Sequence, residues 1–261
     1  MNFIVCIKQV PGTTEVKIDP RTNTLIREGV ESIVNPFDTY AIEEGLRLKE
    51  RMGGKVIVIS MGPPQAESAL REALSMGCDE AVLLTDPAFA GSDTLATSYT
   101  LACGIRKIVE FSLIICGKQA IDGDTAQVGP GIAEKLGIPG VTYVKKIEDI
   151  SETHIRVERM MEEGYEVIEM GLPALITVVK EINEPRLPSL KGMMRAKKAK
   201  IDIWNASNIA CEKERIGQLG SPTIVNKIFT PPPRKGGEMI LGDPEEQARK
   251  LVEKLHQAKV I

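Results

Sequence analysis

The sequence predicts an α/β fold: an open, doubly wound, mainly parallel sheet with antiparallel hairpin additions and an extended C-terminal arm. Two observations lead there. Near-continuous apolar runs at Phe3–Lys8, Lys55–Ser60, Glu80–Thr85 and Ser112–Cys116 have the pattern of strands buried on both faces. Between them lie helical segments, and strand–helix–strand alternation implies parallel strands joined by right-handed crossovers.

Each element has its own signal. Asp38–Met52 places Ala41, Ile42, Leu46 and Leu48 on one face, opens on an Asp fit to cap a helix and ends at Gly53-Gly54. Pro63–Met76 repeats the pattern and stops at Gly77. Ser92–Glu110 opens on Ser-Asp, a cap with a favourable first-turn charge, and Thr125–Leu136 is stopped by Gly137. Residues 11–34 break the rhythm: "EVKID" and "TLIREG" resemble a hairpin inserted after the first strand. A second antiparallel pair is expected at Val141–Ile147 and His154–Met161, with "MEEGYEV" carrying the next turn, and Leu175–Lys180 is the last apolar strand. After Ile182 the composition changes. The expected organisation is an α/β domain over 1–182, a loop and basic segment over 183–203, and an arm over 204–261 that ends in a helix at Pro244–Ala258 and packs on another chain.

The bulk numbers restrict function. With 43% hydrophobic and 26% charged residues the chain is an ordinary globular protein. A net charge of −3 argues against nucleic acid as the main partner. His154 and His256 are the whole imidazole supply, and neither neighbourhood suits a metal site or a Ser-His-Asp triad. Five cysteines form no CxxC pair, which fits core packing in a reducing cytosol. The start lacks a signal-peptide pattern, and no apolar run approaches the roughly 18 residues of a membrane span. The expectation is a cytoplasmic protein with no membrane insertion.

In an open parallel sheet, ligands bind beyond the carboxyl ends of the strands. Loops rich in Gly, Pro and polar residues fall there: the end of the first strand, "NPFD" at Asn35–Asp38, "MGPPQAE" from Met61, "DPAFAGSDT" up to Thr94, and "GKQAIDGDTAQVGPG" from Gly117. Each is also what a competent helix cap looks like; together at one edge they point to a nucleotide held by backbone N–H groups. A P-loop is absent, and "GPGIAEKLG" fails the dinucleotide fingerprint. Asp122-Gly123-Asp124 lacks the further carboxylates a Mg²⁺ ion wants, so no metal is expected; hydrogen bonding to ribose or phosphate suits Asp124, Thr125 and the Gln127 amide better. The cations of Arg195–Lys200 have no interleaved aromatics for base stacking and read as a partner-facing segment. Leu190, in a Pro-flanked polar loop, is either a docking anchor or an ordinary loop leucine.

These pieces together resemble one family. "VVKEINEPRLPSLKGMMRAKKAKI", Val178–Ile201, is similar to the signature segment of the beta subunits of electron-transferring flavoproteins. "VCIKQVP", "NPFD", "SMGPPQ" and "GKQAIDGDTAQVGP" carry the resemblance over essentially the whole chain. It implies a Rossmann-like sheet of the adenine nucleotide alpha hydrolase type, in a subunit that works only as a heterodimer with an alpha subunit holding FAD. No catalytic residue is implied, since the flavin carries the chemistry.

By matching motif, the beta-subunit nucleotide would be bound by Cys6, Asn35, Pro36, Phe37, Asp38, Met61, Gly62 and Thr94. The helix-start loop would add Asp122, Gly123, Asp124, Thr125, Ala126, Gln127, Val128, Gly129, Pro130, Gly131, Ile132 and Ala133. Docking to an acyl-CoA dehydrogenase would use Leu190, Lys191, Arg195, Lys197 and Lys198. "NPFDTYAIEEGLRLKE" and "ERMMEEGYEV" resemble the electron-bifurcating branch, whose pocket holds FAD and takes hydride from NADH. That branch sends one electron to ferredoxin or flavodoxin and the other through the alpha-subunit FAD to the dehydrogenase. The alternative is a structural AMP in a non-bifurcating carrier that serves a quinone reductase. A stand-alone ATP-binding regulatory module is a remoter alternative, opposed by the long arm.

Overall fold

The computed structural model describes residues 1–12, 17–19, 24–26, 32–108, 110–226 and 236–261. A first compact unit, Met1–Asn226, contains the sheet, and Lys227–Ile261 is the second. Nine strands form the sheet: β1 (Asn2–Cys6), β6 (Lys55–Met61), β7 (Glu80–Leu84), β8 (Leu113–Gly117), β9 (Gly140–Ile150), β10 (His154–Met161), β11 (Gly164–Gly171), β12 (Ala174–Val178) and β13 (Asp202–Trp204). Four short strands pair apart from it: β2 (Gln9–Pro11) with β5 (Ser32–Val34), and β3 (Lys17–Asp19) with β4 (Thr24–Ile26), both antiparallel. This is the hairpin insertion expected after the first strand.

The spatial order is β11-β10-β9-β12-β8-β1-β6-β7-β13. Every neighbour from β9 to β13 in that order is parallel, and only β10 and β11 run against their partners. The chain moves outward from β1 to β6 and β7, then returns to lay β8 on the other side of β1. The switch point therefore lies between β1 and β8, where Cys6, the last residue of β1, is the register partner of Cys116.

Helices α1 (Pro36–Met52) and α2 (Glu67–Met76) cover one face, and α3 (Thr94–Lys107) and α4 (Val128–Leu136) cover the other. Two apolar layers result. Phe3, Val5, Val58 and Ile115 meet Ile42, Leu46 and Leu70 on the first face; Ile4, Ile59 and Ile114 meet Ile105 and Ile132 on the second. That both alternating sets of the central strands are buried explains why the strands read as continuous apolar runs.

Three differences from the sequence reading have physical causes. First, α1 begins at Pro36 with Asn35 as the preceding cap residue, so Asp38 lies inside the first turn and is buried. Second, α3 is capped by Asp93, whose carboxylate accepts from the Leu95 and Ala96 N–H groups, and α4 starts three residues later than expected, at Val128. Third, β11 and β13 were not foreseen. β11 is an edge strand exposed along most of its length, so it carries little apolar pattern, and the three-residue β13 gains its strand character only by adding to β7. The "SLKGMMRAKK" stretch forms a helix, α5 (Leu190–Lys198), because Ser189 caps it through Gly192 N–H and it lies along α2. In the second unit, α6 (Pro244–Gln257) is capped by Asp243 through the Glu246 N–H. Among the described residues no helix is long and apolar enough to cross a membrane.

Candidate functional site

At the switch point a buried polar pair ties three segments together. Asn35, 1% exposed, has no capping bond to its own helix. Its Nδ2 instead donates to Asp38 Oδ1 (2.9 Å) and to the Gln119 carbonyl (2.9 Å), and its Oδ1 accepts from the Ile121 N–H (3.1 Å). The Lys8 N–H donates to Asp38 Oδ2 (2.7 Å), so the end of β1, the start of α1 and the loop after β8 are joined through two side chains. Burial pushes the Asp38 carboxyl up to about 7, against the lowering effect of the Asn35, Lys8 and Gly117 donors. Gly117 is required here, because a Cβ at that position would run into Asp38 Oδ1 and the Phe37 backbone.

Beyond that pair the loop is braced from outside. Lys8 Nζ reaches both Asp122 oxygens, at 2.7 and 2.8 Å; Gln119 Nε2 donates to Asp124; and Thr94 Oγ1 donates to Gln127 Oε1 (2.8 Å). Asp124 and Ala126 both adopt left-handed backbone conformations, with φ of 53° each. Such residues alternating with ordinary ones turn successive N–H groups to one side, forming an anion-binding nest. The N–H groups from Thr125 through Gly129 have no protein acceptor among the described residues, and α4 begins among them. This donor set fits a phosphate: exposed N–H dipoles at a helix N-terminus, beside a loop held rigid from three sides.

The structure brings together Asn35, Asp38, Thr94, Asp122, Asp124 and Gln127 from the sequence-predicted set, by direct hydrogen bonds or through Lys8 and Gln119. It also alters what several of them are free to do. Asp122 is held by Lys8, and Asp38 is enclosed, 6% exposed. Gly129 and Gly131 serve close packing: a Cβ on the first would meet the Thr177 methyl and on the second the Ser98 side chain. Ile132 and Ala133 face the second apolar layer, whereas Gly123, Thr125 and Pro130 are exposed. Pro36 and Phe37 open α1; Met61 ends β6 and Gly62 follows it, with the Gly62 N–H donating to the Leu84 carbonyl. Cys6 and Cys116 are buried side by side, and the contact with Cys6, then burial, raises the Cys116 thiol well above its ordinary value. Lys8 and Gln119 escaped the sequence reading; a lysine leaving a first strand carries no signal until its partner across the sheet is known.

The second predicted cluster lies on the segment after β12. Arg186 anchors it to α1: Nε donates to Glu43 Oε2 (2.8 Å), and Nη2 reaches both Glu43 Oε1 and Glu50 Oε2 (3.1 Å each). Burial would raise Glu43, but the Arg186 and Arg47 guanidiniums outweigh it and hold the carboxyl below its usual range. Arg195 is turned inward, donating to the Leu74 and Cys78 carbonyls at the end of α2 (3.0 and 2.9 Å). Lys191, Lys197 and Lys198 are exposed. Leu190 is 78% exposed, and Leu187 (90%) and Met194 (68%) stand out beside it in sequence at i−3 and i+4. The i, i+4 spacing of Leu190 and Met194 was the legible signal for a helical apolar face.

The fold and this edge define a class: a doubly wound α/β protein with a preorganised anion cradle at its topological switch point. The electron transfer flavoprotein domain model matches residues 22–209. Over the full length of both chains, the protein is 54% identical to the electron transfer flavoprotein subunit beta of Thermoanaerobacterium thermosaccharolyticum. It is equally 54% identical to the caffeyl-CoA reductase-Etf complex subunit CarD of Acetobacterium woodii, again over all of both chains. The protein FixA of Azotobacter vinelandii is 48% identical over 98% of this chain and 94% of its own. The chain belongs to the electron transfer flavoprotein beta-subunit family.

Proposed function

We propose that this protein is the beta subunit of a heterodimeric electron transfer flavoprotein, that its switch-point site binds FAD, and that the complex bifurcates electrons from NADH. The observation that carries the nucleotide assignment is the row of unpartnered N–H groups from Thr125 to Gly129, a backbone donor set that suits a phosphate. Bound there, FAD would supply hydride acceptance and one-electron transfer. The residues of this chain position the nucleotide: Asn35 and Asp38 fix the loop, Lys8 and Gln119 hold its acidic side chains, and Thr94 orients Gln127.

FAD is favoured over AMP by the resemblance of "NPFDTYAIEEGLRLKE" and "ERMMEEGYEV" to the bifurcating branch. The kinship with subunits of a caffeyl-CoA reductase complex and with FixA proteins agrees with it. Acceptors in this reading are ferredoxin or flavodoxin on one side and an acyl-CoA dehydrogenase on the other. The dehydrogenase would meet Leu187, Leu190 and Met194, with Lys191, Lys197 and Lys198 around them and Arg195 fixing α5 on α2. Purification with the co-expressed alpha subunit tests the proposal. Two FAD per heterodimer, reduced by NADH, is the expected result; one FAD with one AMP would leave a simple carrier.

A further inference from the structure

A second lysine stands at the same sheet edge in a setting unlike that of Lys8. Lys118 is the first residue beyond β8, and its N–H is fixed by the Val178 carbonyl (2.9 Å). Its ammonium lies 5.6 Å from the centre of the Phe37 ring and 5.2 Å from that of Tyr143. Rings at these distances attract a cation through their quadrupoles but do not neutralise it. No carboxylate pairs with Lys118 among the described residues, whereas Lys8 has both oxygens of Asp122.

Tyr143 reaches that position through an unfavourable backbone. Its φ is 61°, a left-handed conformation that costs a bulky side chain about 1 kcal/mol or more. The register of β9 against β12 slips there, between Ile176 and Val178, and the Tyr143 N–H leaves the ladder for Thr177 Oγ1 (3.2 Å). A bulge of this kind re-aims a side chain, and here the re-aimed ring brackets the Lys118 ammonium.

The charge balance of the edge makes Lys118 matter. Asp122 and Asp124 lie in the loop beyond β8, and the Lys8 ammonium pairs with only the first of them. An arriving anion is received by the nest, but the side-chain charge around it is otherwise negative. We infer that Lys118, held between Phe37 and Tyr143, is a nucleotide-binding residue that meets the negative charge of the phosphate-bearing ligand at the switch point. The inference rests on the nucleotide reading given above.

The test uses the heterodimer, stripped of nucleotide and titrated with AMP and with FAD at low and high salt. Losing a charge-assisted contact of about 1.5–3 kcal/mol predicts that Lys118→Met weakens binding roughly tenfold or more at low salt. The salt sensitivity of the affinity should fall with it, and Lys118→Arg should restore both. Lys55→Met, which removes an exposed cation at the amino end of β6, is the control and should bind like the unaltered protein. Unchanged affinity in Lys118→Met would overturn the assignment. So would weakened binding that keeps its salt dependence and is not restored by arginine, the signature of a packing role. If the unaltered heterodimer binds neither AMP nor FAD, the nucleotide reading itself fails.

Discussion

Asn35 Nδ2 lies 2.9 Å from Asp38 Oδ1, and that contact fixes which way the Asn35 amide faces. With the nitrogen pointed at a carboxylate, the oxygen is left to accept the Ile121 N–H, while the second amide proton meets the Gln119 carbonyl. A buried charge three residues along one helix thus sets the path of a loop that is more than 80 residues away in sequence. The arrangement opposes stability, since ionising Asp38 in this enclosure is unfavourable, and its value lies in the preorganisation of the loop.

The first prediction follows from that opposition. Folded, Asp38 titrates near 7; unfolded, near 3.8. Between those values the folded protein holds a proton that the unfolded chain has released. Stability from this group is therefore complete below about pH 4 and is lost as pH rises through 7, a fall on the order of 4 kcal/mol at about 1.4 per unit. Asp38→Asn removes this slope. Urea unfolding across the range should show the variant gaining on the parent as pH rises, with the difference levelling off above neutrality. A difference that stays constant with pH contradicts the raised carboxyl. Nucleotide affinity should move the other way, because an amide at this position offers one acceptor oxygen where the carboxylate offers two to the Lys8, Asn35 and Gly117 donors.

What could be read from sequence was what sequence periodicity encodes. The four central strands were placed within about two residues, because strands covered on both faces leave uninterrupted apolar runs. Helix starts were less well placed. An Asp in "NPFD" has the chemistry of a cap, and only the approach of Lys8 and Gly117 shows it turned inward. The site loops were legible as a group by their place at strand ends, but the division of labour within them was not. Gly129 and Gly131 resemble ligand-approach glycines and serve helix packing, whereas Lys118 and Tyr143 gave no local signal, since a bulge and a bracket across three elements exist only in three dimensions.

The second prediction separates docking from cofactor binding. Leu190 is 78% exposed at the start of α5, so truncating it removes little folding energy. A buried interface anchor of this size is worth about 1–2 kcal/mol, so Leu190→Ala should lower the rate of electron transfer to the proposed acyl-CoA dehydrogenase partner roughly fivefold to thirtyfold at limiting partner. Flavin content and the NADH reaction should be unchanged. Loss of flavin in the purified variant would assign Leu190 to folding.

The third prediction concerns how that surface is held. Arg186 joins Glu43, whose side chain is 4% exposed, and the more exposed Glu50, and it is the side chain that ties the segment leading into α5 to α1 through ion pairs. Removing the guanidinium leaves the Glu43 carboxylate buried with Arg47 alone on Oε1, and losing the charged hydrogen bonds from Arg186 costs about 1.5–3 kcal/mol. Arg186→Met should therefore destabilise the protein by roughly that amount in urea unfolding. Replacing both partners with apolar residues, Glu43→Leu with Arg186→Met, should recover most of the loss, because the pair also carries a desolvation cost. Electron transfer to the dehydrogenase need not recover with it. The double variant restores packing without the directed Nε and Nη2 bonds that orient the segment leading to Leu187 and Leu190, so stability and partner transfer should part company. If transfer returns to the parental rate along with stability, Arg186 acts through stability alone and orients nothing.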